Sequence, residues 1–139
     1  MSLARLTYVS DSNKLIEWSL VKEILEVAQP KNQRLGVSGI LLSHGMNFLQ
    51  RLEGEQQIIE ELYQSILNDS RHTNLRLLEV TPISHRQFGQ WSMQGFEFEQ
   101  LSTDHQTHIL DRYFYDKRAF YIPTDDQTCL NLIDDLKLS

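Results

Sequence analysis

The feature that most constrains the fold is a hairpin of two strand-like segments placed between two helix-like segments. The hairpin covers residues 36–54 and reads GVSGILLSHGMNFLQRLEG, with Gly45 able to adopt the positive φ of a tight turn. An apolar stripe at helical spacing precedes the hairpin: Ile16, Leu20, Ile24 and Val27. Pro30 lies beyond this stripe, and we expect it to end the first helix because proline interrupts helical hydrogen bonding.

The flanking segments complete a regular order of strands and helices. A second helix is expected to begin at Glu55, and its apolar stripe consists of Ile58, Ile59, Leu62, Ile66 and Leu67. Further strands are predicted at LARLTYVS (3–10), NLRLLEVTP (74–82) and QWSMQGFEF (90–98). The resulting order is βαββαββ with short connections. It predicts an α+β sandwich of the ferredoxin-like kind, with both helices on one face of the sheet.

Two more helices are predicted after the sandwich, so the chain divides into residues 1–98 and residues 99–139. The third helix has the stripe Ile109, Leu110, Tyr113 and Phe114. The fourth follows PTDDQ, where Thr124 and Gln127 have the spacing of a capping box, and has the stripe Cys129, Leu132, Ile133 and Leu136. We expect these C-terminal helices to pack on the open face of the sheet. A docking surface is a compatible alternative.

The composition narrows the classes of partner. The chain has 139 residues, 40% of them hydrophobic, and a formal net charge of −6, which is ordinary for one acidic globular domain. A basic stripe for nucleic acid is not visible. The lone Cys129 excludes an internal disulfide and suits a reducing cytoplasm. Since the start lacks the apolar run of a signal peptide and no stretch approaches membrane-spanning length, we expect a cytoplasmic protein without a membrane partner.

Two polar side chains are predicted to face the apolar core. Strand alternation places Gln50 on the same face as Phe48 and Leu52, and Tyr8 on the same face as Leu6. The first and third strands are neighbours in ferredoxin-like topology, so Tyr8 and Gln50 are expected to meet. An unsatisfied buried polar group costs roughly 1–3 kcal/mol, whereas a paired one is acceptable. Taken alone, the pair is interpreted as structural.

Other noteworthy positions also have ordinary interpretations when taken singly. Asn32 is typical of a turn. Trp91 and Met93 share a face of the fifth strand and are typical of core filler. The residues after the second helix are typical of a solvated helix end: Asp69, Arg71 and His72.

Taken together, these residues resemble a known family. The pieces are RLTYVS with Tyr8, NQRLGVSGILL with Asn32, NFLQRLEGE with Gln50, NDSRH, and WSM with Trp91 and Met93. In this βαββαββ order they resemble the BLUF family, the sensors of blue light using FAD, over about residues 3–98. The segment that follows is similar to the tails of stand-alone members, which lack a fused enzyme domain.

The resemblance implies a non-covalently bound flavin whose ring lies between the two helices. Ile24 and Ile66 are expected to grip the ring, with His72 near one side. Gln50 is expected between Tyr8 and the N5/O4 edge of the flavin. The full set of implied cofactor contacts is Tyr8, Ile24, Lys31, Asn32, Phe48, Gln50, Ile66, Asp69, Arg71, His72 and Met93.

Some positions depart from the family pattern. Ala28 stands where several members carry serine, and Ser65 where some carry arginine. Lys31 replaces a polar neutral residue and, with Asp69 and Arg71, is a candidate for orienting the ribityl and phosphate portions. FAD is the cofactor that the resemblance implies, and because Ser65 loosens the expected phosphate contacts, FMN and riboflavin are left open.

The resemblance also implies a mechanism. Light would drive a transient transfer of an electron and a proton from Tyr8, and Gln50 would reverse its hydrogen bonds and form a new one to flavin O4. The absorption would shift to the red and return in the dark. Trp91 and Met93 complete the implied photoactive set, and which of them lies next to the flavin is left open. The fifth strand and the C-terminal helices would pass the signal to a downstream protein or to self-assembly in a homo-oligomer.

Two other classes remain as alternatives. A small enzyme of acylphosphatase-like fold would need a phosphate-gripping loop, and neither that nor a metalloprotease motif is visible. His105 and His108 beside Asp104 could bind a metal ion, but a solvated helix face is the preferred interpretation, and no metal site is predicted. In a plain interaction module, Tyr8 and Gln50 would be structural only.

Overall fold

The computed structural model describes residues 2–89, 92–114 and 121–136. Its strands are β1 Leu3–Ser12, β2 Ser38–His44, β3 Asn47–Glu55, β4 His72–Pro82 and β5 Gln94–Glu97. Its helices are α1 Trp18–Leu35, α2 Gln56–Leu67, α3 Thr103–Tyr113 and α4 Asp126–Asp135, with a short 3-10 turn, Phe98–Gln100, before α3.

The strands form one sheet in the order β4-β1-β3-β2-β5. β1 is antiparallel to both β3 and β4, β2 is antiparallel to β3, and β5 is parallel to β2. The helices α1 and α2 pack on one face and α3 and α4 on the other. The predicted α+β, ferredoxin-like sandwich is confirmed, as is the packing of two C-terminal helices on its open face.

Helix α1 runs past Pro30 to Leu35, so the prediction that Pro30 ends the helix is wrong. Pro30 is exposed, and water can hydrate the carbonyl that the proline ring leaves without a donor. The helix ends instead at Gly36, which has a φ of 70° and donates its N–H to the carbonyls of Asn32 and Gln33. The extra turns carry Asn32, predicted as a turn residue, into a buried helical position.

The apolar stripe of α1 also differs from the predicted one. Ile16 precedes the helix, and the buried helical residues are Val21 and Leu25. Ile24 is only partly buried, and Val27 is 66% exposed. Periodicity detects apolar residues without showing what covers them, and α1 carries two adjacent apolar faces.

Helix α2 begins as predicted. The Glu55 side chain caps it by accepting a hydrogen bond from the Ile58 N–H at 3.2 Å. Ile59 is buried, and the predicted stripe missed the buried Tyr63. Leu67 is 41% exposed, so its predicted burial is wrong; it lies in the last turn, beyond the edge of the sheet contact.

Strand β5 is shorter than predicted. Met93 lies just before it, and Trp91 falls outside the described residues. The carbonyl of Met93 accepts a hydrogen bond from the Gln29 side chain at 2.8 Å instead of joining the ladder with β2. Side chains of α1 therefore bind the segment before β5, and the strand begins only at Gln94.

The far face of the sheet is covered by a second apolar core. Ile40, Leu42 and Leu49 of the sheet pack with α3 and α4. All four residues of the predicted α4 stripe are buried: Cys129, Leu132, Ile133 and Leu136. The cap of α4 is Asp125 rather than Thr124, since its carboxylate accepts from the Thr128 N–H at 2.8 Å.

Candidate functional site

A cleft of about 240 Å³ opens between α1 and α2 above the sheet. It brings together every implied cofactor contact except Met93. The lining residues are Tyr8, Ile24, Val27, Ala28, Lys31, Asn32, Leu41, Phe48, Gln50, Leu52, Leu62, Ser65, Ile66, Asp69, Arg71 and His72.

The floor of the cleft is a hydrogen-bonded pair. Tyr8 and Gln50 face each other across β1 and β3, and the Tyr8 hydroxyl donates to Gln50 Oε1. Both side chains are buried. Burial first, and then the neighbouring Tyr63 and Asp69, raise the pKa of Tyr8 well above its usual value. Tyr8 is therefore a neutral phenol that holds its proton toward the amide.

The other end of the Gln50 amide meets a soft acceptor. Gln50 Nε2 donates to the thioether Sδ of Met93 at 3.3 Å. A thioether is a weak acceptor, so this side of the amide retains donor capacity for a better partner. Met93 is buried next to Gln50 and outside the cleft lining.

A second buried amide stands at the α1 side of the cleft. Asn32 Nδ2 donates to the Ser92 carbonyl at 3.0 Å. Together with the bond from Gln29 to the Met93 carbonyl, this contact ties the segment before β5 to α1.

Aromatic rings close one end of the cleft. The ring centroids of Tyr8 and Tyr63 are 5.5 Å apart, and those of Phe48 and His72 are 5.6 Å apart. His72 lies in β4, not in a solvated helix end, and its Nδ1 is 3.2 Å from Ser10 Oγ. Burial lowers the pKa of His72, so the imidazole is neutral at pH 7.

Charged residues lie at the mouth. Arg71 donates from its backbone N–H and its Nε to Asp69 Oδ1, at 2.9 and 3.0 Å. The hydrogen bonds from Arg71 lower the pKa of Asp69 to about 2. Lys31 adds an exposed cation on the α1 side.

Residues 3–94 match the family model described as BLUF, the sensors of blue-light using FAD. The chain belongs to the BLUF family. Members of this family sense blue light with a flavin. The family therefore favours a light sensor over the small enzyme, an interpretation that the fold alone left open.

Named BLUF relatives span more than this chain. The chain is 28% identical over 121 residues to the blue light- and temperature-regulated antirepressor BluF of Escherichia coli K12, covering 78% of the chain and 30% of that protein. It is 30% identical over 103 residues to photoactivated adenylate cyclase subunit beta of Euglena longa, covering 73% of the chain and 12% of that protein. The chain thus spans less than a third of either protein.

Solved BLUF structures share the fold. BlsA in its photo-activated state has a TM-score of 0.79 with this chain and is 27% identical to it, covering 99% of this chain and 96% of that one. BlrB, a BLUF protein in its dark state, has a TM-score of 0.67 with 34% identity, over 72% of this chain and 76% of that one.

The cleft fits the flat, apolar ring of a flavin with a polar edge. Ile24, Leu62 and Ile66 supply apolar walls from α1 and α2. The amides of Asn32 and Gln50 supply polar atoms at the inner end, where a ring edge needs hydrogen bonds. Gln50 Nε2, held only by a thioether among the described residues, is suited to a flavin oxygen or nitrogen.

Some lining residues were not singled out from the sequence as cofactor contacts. Leu41 and Leu52 share the face of Phe48 and Gln50 on the sheet, so strand alternation could have found them. Leu62 lies one helical turn before Ile66 and follows from the same stripe. Val27 was identified as apolar but assigned to the core.

The alternative metal site is not formed. His105 is buried, not solvated, and its Nε2 is 3.0 Å from the Asp135 carbonyl. Within residues 2–89, 92–114 and 121–136, no three His, Cys, Asp or Glu side chains are grouped as metal ligands. The same residues contain no helix long and apolar enough to span a membrane.

Proposed function

We propose that this chain is a cytoplasmic blue-light photoreceptor in which the Tyr8–Gln50 pair is the switch beneath a flavin bound in the cleft. One observation carries the proposal. The buried Tyr8 hydroxyl donates to Gln50, and the other end of the same amide meets only the Met93 thioether among the described residues. This geometry gives the amide an alternative hydrogen-bonded state within reach.

The residues of the cleft divide the work of binding. Ile24 and Ile66 would hold the two faces of the ring, and Asn32 and Gln50 its polar edge. Phe48 and His72 would close the aromatic end. Lys31 and the Asp69–Arg71 pair would orient the ribityl and phosphate portions at the mouth. We propose FAD as the flavin; because Ser65 supplies no charge at the mouth for a phosphate, FMN and riboflavin are tested as competing ligands.

The switch uses atoms of this chain. Bound flavin supplies a strong oxidant when it absorbs blue light. Tyr8 gives up an electron and its phenolic proton through the short path across Gln50, and later regains both. The Gln50 amide reverses in the interval, so that its nitrogen and oxygen exchange partners. Because Tyr8 regains what it loses, the lit state decays in the dark.

The output is a change in protein contacts. Met93 contacts Gln50 directly and would respond to reversal of its amide. Residues 1–98 act as the sensor. Residues 99–139, whose described helices cover the far face of the sheet, act as the read-out. The signal then reaches a downstream protein or a second copy of this chain.

The test is an absorption spectrum of the purified protein in darkness and after blue light. A flavin band that shifts to the red and returns in the dark is expected. The Tyr8→Phe variant lacks the hydroxyl, so it should keep the flavin band and lose the shift. A wild-type protein that remains colourless after incubation with FAD, FMN and riboflavin would contradict the proposal and favour an interaction module.

A further inference from the structure

A buried polar cluster lies on the sheet face opposite the cleft. Its centre is Arg51 of β3, which is 0% exposed. Arg51 Nε donates to Thr7 Oγ1 at 2.9 Å, and Nη2 donates to Glu79 Oε2 at 3.1 Å. A buried cation is costly unless it is paired, and these two contacts stabilise Arg51 within the sheet, where it shares the Glu79 carboxylate with Arg5.

The remaining terminal nitrogen of Arg51 extends to α4. Nη1 forms an ion pair with Asp134 and donates to Gln87 Oε1 at 3.0 Å. Gln87 Nε2 donates in turn to the Asp134 backbone carbonyl at 2.8 Å. We name Arg51, Gln87 and Asp134 the latch, because they join the sheet to the last turn of α4.

The latch and the switch both contact β3. The Gln87 N–H donates to Glu53 Oε2 at 2.7 Å, which anchors Gln87 on β3. Met93, a little further along the chain, accepts from Gln50 on the other face of β3. In addition, Gln50 and Arg51 are successive residues whose side chains point to opposite faces. Movement of Gln50 therefore has a short route to the latch, through the β3 backbone that it shares with Arg51.

We propose that the latch is the element through which Gln50 controls α4, and that light loosens it. This inference rests on the proposed photoreceptor function. When the Gln50 amide reverses, its nitrogen leaves Met93 Sδ, and the accompanying shift of β3 at Gln50 displaces the neighbouring Arg51. Gln87 then bridges Arg51 and Asp134 less well, and α4 separates from the sheet more often. Arg51 is a positioning residue here, since it touches none of the cleft.

The chain carries its own reporter of this opening. Cys129 is the only cysteine in the sequence, and it is 0% exposed on the face of α4 that packs against the sheet. A thiol reagent can reach it only when α4 separates. The experiment therefore measures the labelling rate of Cys129 in the flavin-loaded full chain, in darkness and under continuous blue light.

For the wild type we expect labelling to be roughly fivefold faster in light than in darkness, the factor that loss of one partly exposed ion pair gives. Asp134→Asn removes the ion pair but keeps an amide oxygen in its place, and Arg51 retains its contact with Glu79, a carboxylate that it shares with Arg5. Its dark rate should rise to about the wild-type lit rate, and its ratio of lit to dark rates should fall to about one. Asp126→Asn is the matched control, because it removes another α4 ion pair, with Arg76, that does not touch the latch. It should keep the wild-type ratio.

The outcomes separate this inference from the proposed function. A wild type that shows the red shift but labels equally fast in light and darkness would overturn the latch and leave the photoreceptor standing. If Asp134→Asn raised both rates by one factor, Asp134 would be structural only, and the latch would again be overturned. Absence of the red shift itself would instead count against the proposed function. Thermal unfolding of each variant shows that the rates refer to folded protein.

Discussion

At the scale of single residues, the chain concentrates its chemistry in one amide. Gln50 accepts from the Tyr8 hydroxyl and donates to the Met93 thioether, so its two ends distinguish a strong partner from a weak one. A methyl group or an ionised carboxylate at this position could not exchange a donor for an acceptor by turning over. The pair was predictable from strand alternation, but the thioether was not, because Met93 lies outside the regular ladder.

Gln50→Ala should keep the flavin band and lose the light-induced red shift, because the alanine side chain has no hydrogen bond to reverse. The measurement is the difference spectrum between lit and dark protein. Gln29→Ala is the matched control, since Gln29 is also an amide bonded to Met93 but through the backbone carbonyl. It should keep a reversible shift; a full shift in Gln50→Ala would contradict the assignment of the switch.

His72 should make stability fall in mild acid. Its pKa in the folded chain is lower than 6.5, mainly through burial, so the unfolded chain takes up the proton first as the pH falls. The free energy of unfolding should therefore decrease as the pH falls through about 6.5 toward the folded pKa. Urea denaturation at several pH values measures this.

Two variants assign the effect to the right imidazole. His72→Gln should flatten the dependence of stability on pH between 7.5 and 5.5. His85→Gln changes an exposed histidine and should leave the dependence as in the wild type. Equal slopes for all three proteins would show that His72 does not carry it.

At the scale of elements, the sequence predicted which segments are helices and strands better than where they end. The hairpin and the stripe of α4 follow from periodicity, since the same side chains that show the pattern are buried by it. In α2 only Ile59 of the predicted stripe is fully buried, because Leu62 and Ile66 line the cleft instead. The end of α1 does not, because solvent can satisfy the carbonyl that Pro30 leaves open, and Gly36 sets the boundary. The role of Val27 was equally undecidable, since an apolar side chain that lines a cleft looks like one that lines a core.

Gly36→Ala should destabilise the chain by about 1–2 kcal/mol, because φ is 70° and an L side chain is strained there. Apart from Gly36 itself and its two chain neighbours, no atom of the described residues lies within 4 Å of the added Cβ, so the cost is conformational rather than steric. Gly36→Asn distinguishes a conformational cost from a steric one, since asparagine tolerates positive φ better than alanine does. Urea denaturation should show a smaller loss for Gly36→Asn than for Gly36→Ala; an equal loss would argue against a conformational cause.

At the scale of the whole molecule, the sheet divides two packed compartments. The cleft, α1 and α2 occupy one side, and α3, α4 and the polar cluster around Arg51 occupy the other. The sequence predicted this arrangement through the βαββαββ order. It did not predict the cluster, because Arg51 joins residues that are far apart in the chain.

Flavin should stabilise the entire fold. A ligand that binds only the folded chain adds about 2.7 kcal/mol when its concentration is 100 times its dissociation constant. We expect the unfolding temperature to rise when FAD is added to protein stripped of flavin, with FMN and riboflavin tested at equal concentration. Ile66→Asp, which places a charge on the apolar wall, should reduce the rise. A rise of the same size in that variant would place the ligand elsewhere.

The central position of β3 has a consequence for how this chain can vary. Gln50 and Arg51 belong to opposite faces only because side chains alternate along the strand. Insertion or deletion of a single residue between Asn47 and Gln50 would carry the glutamine into the far core and the arginine into the cleft. Point substitutions can change the light response or the contact with α4 separately. The number of residues in this part of β3, in contrast, cannot change by one without exchanging the two faces.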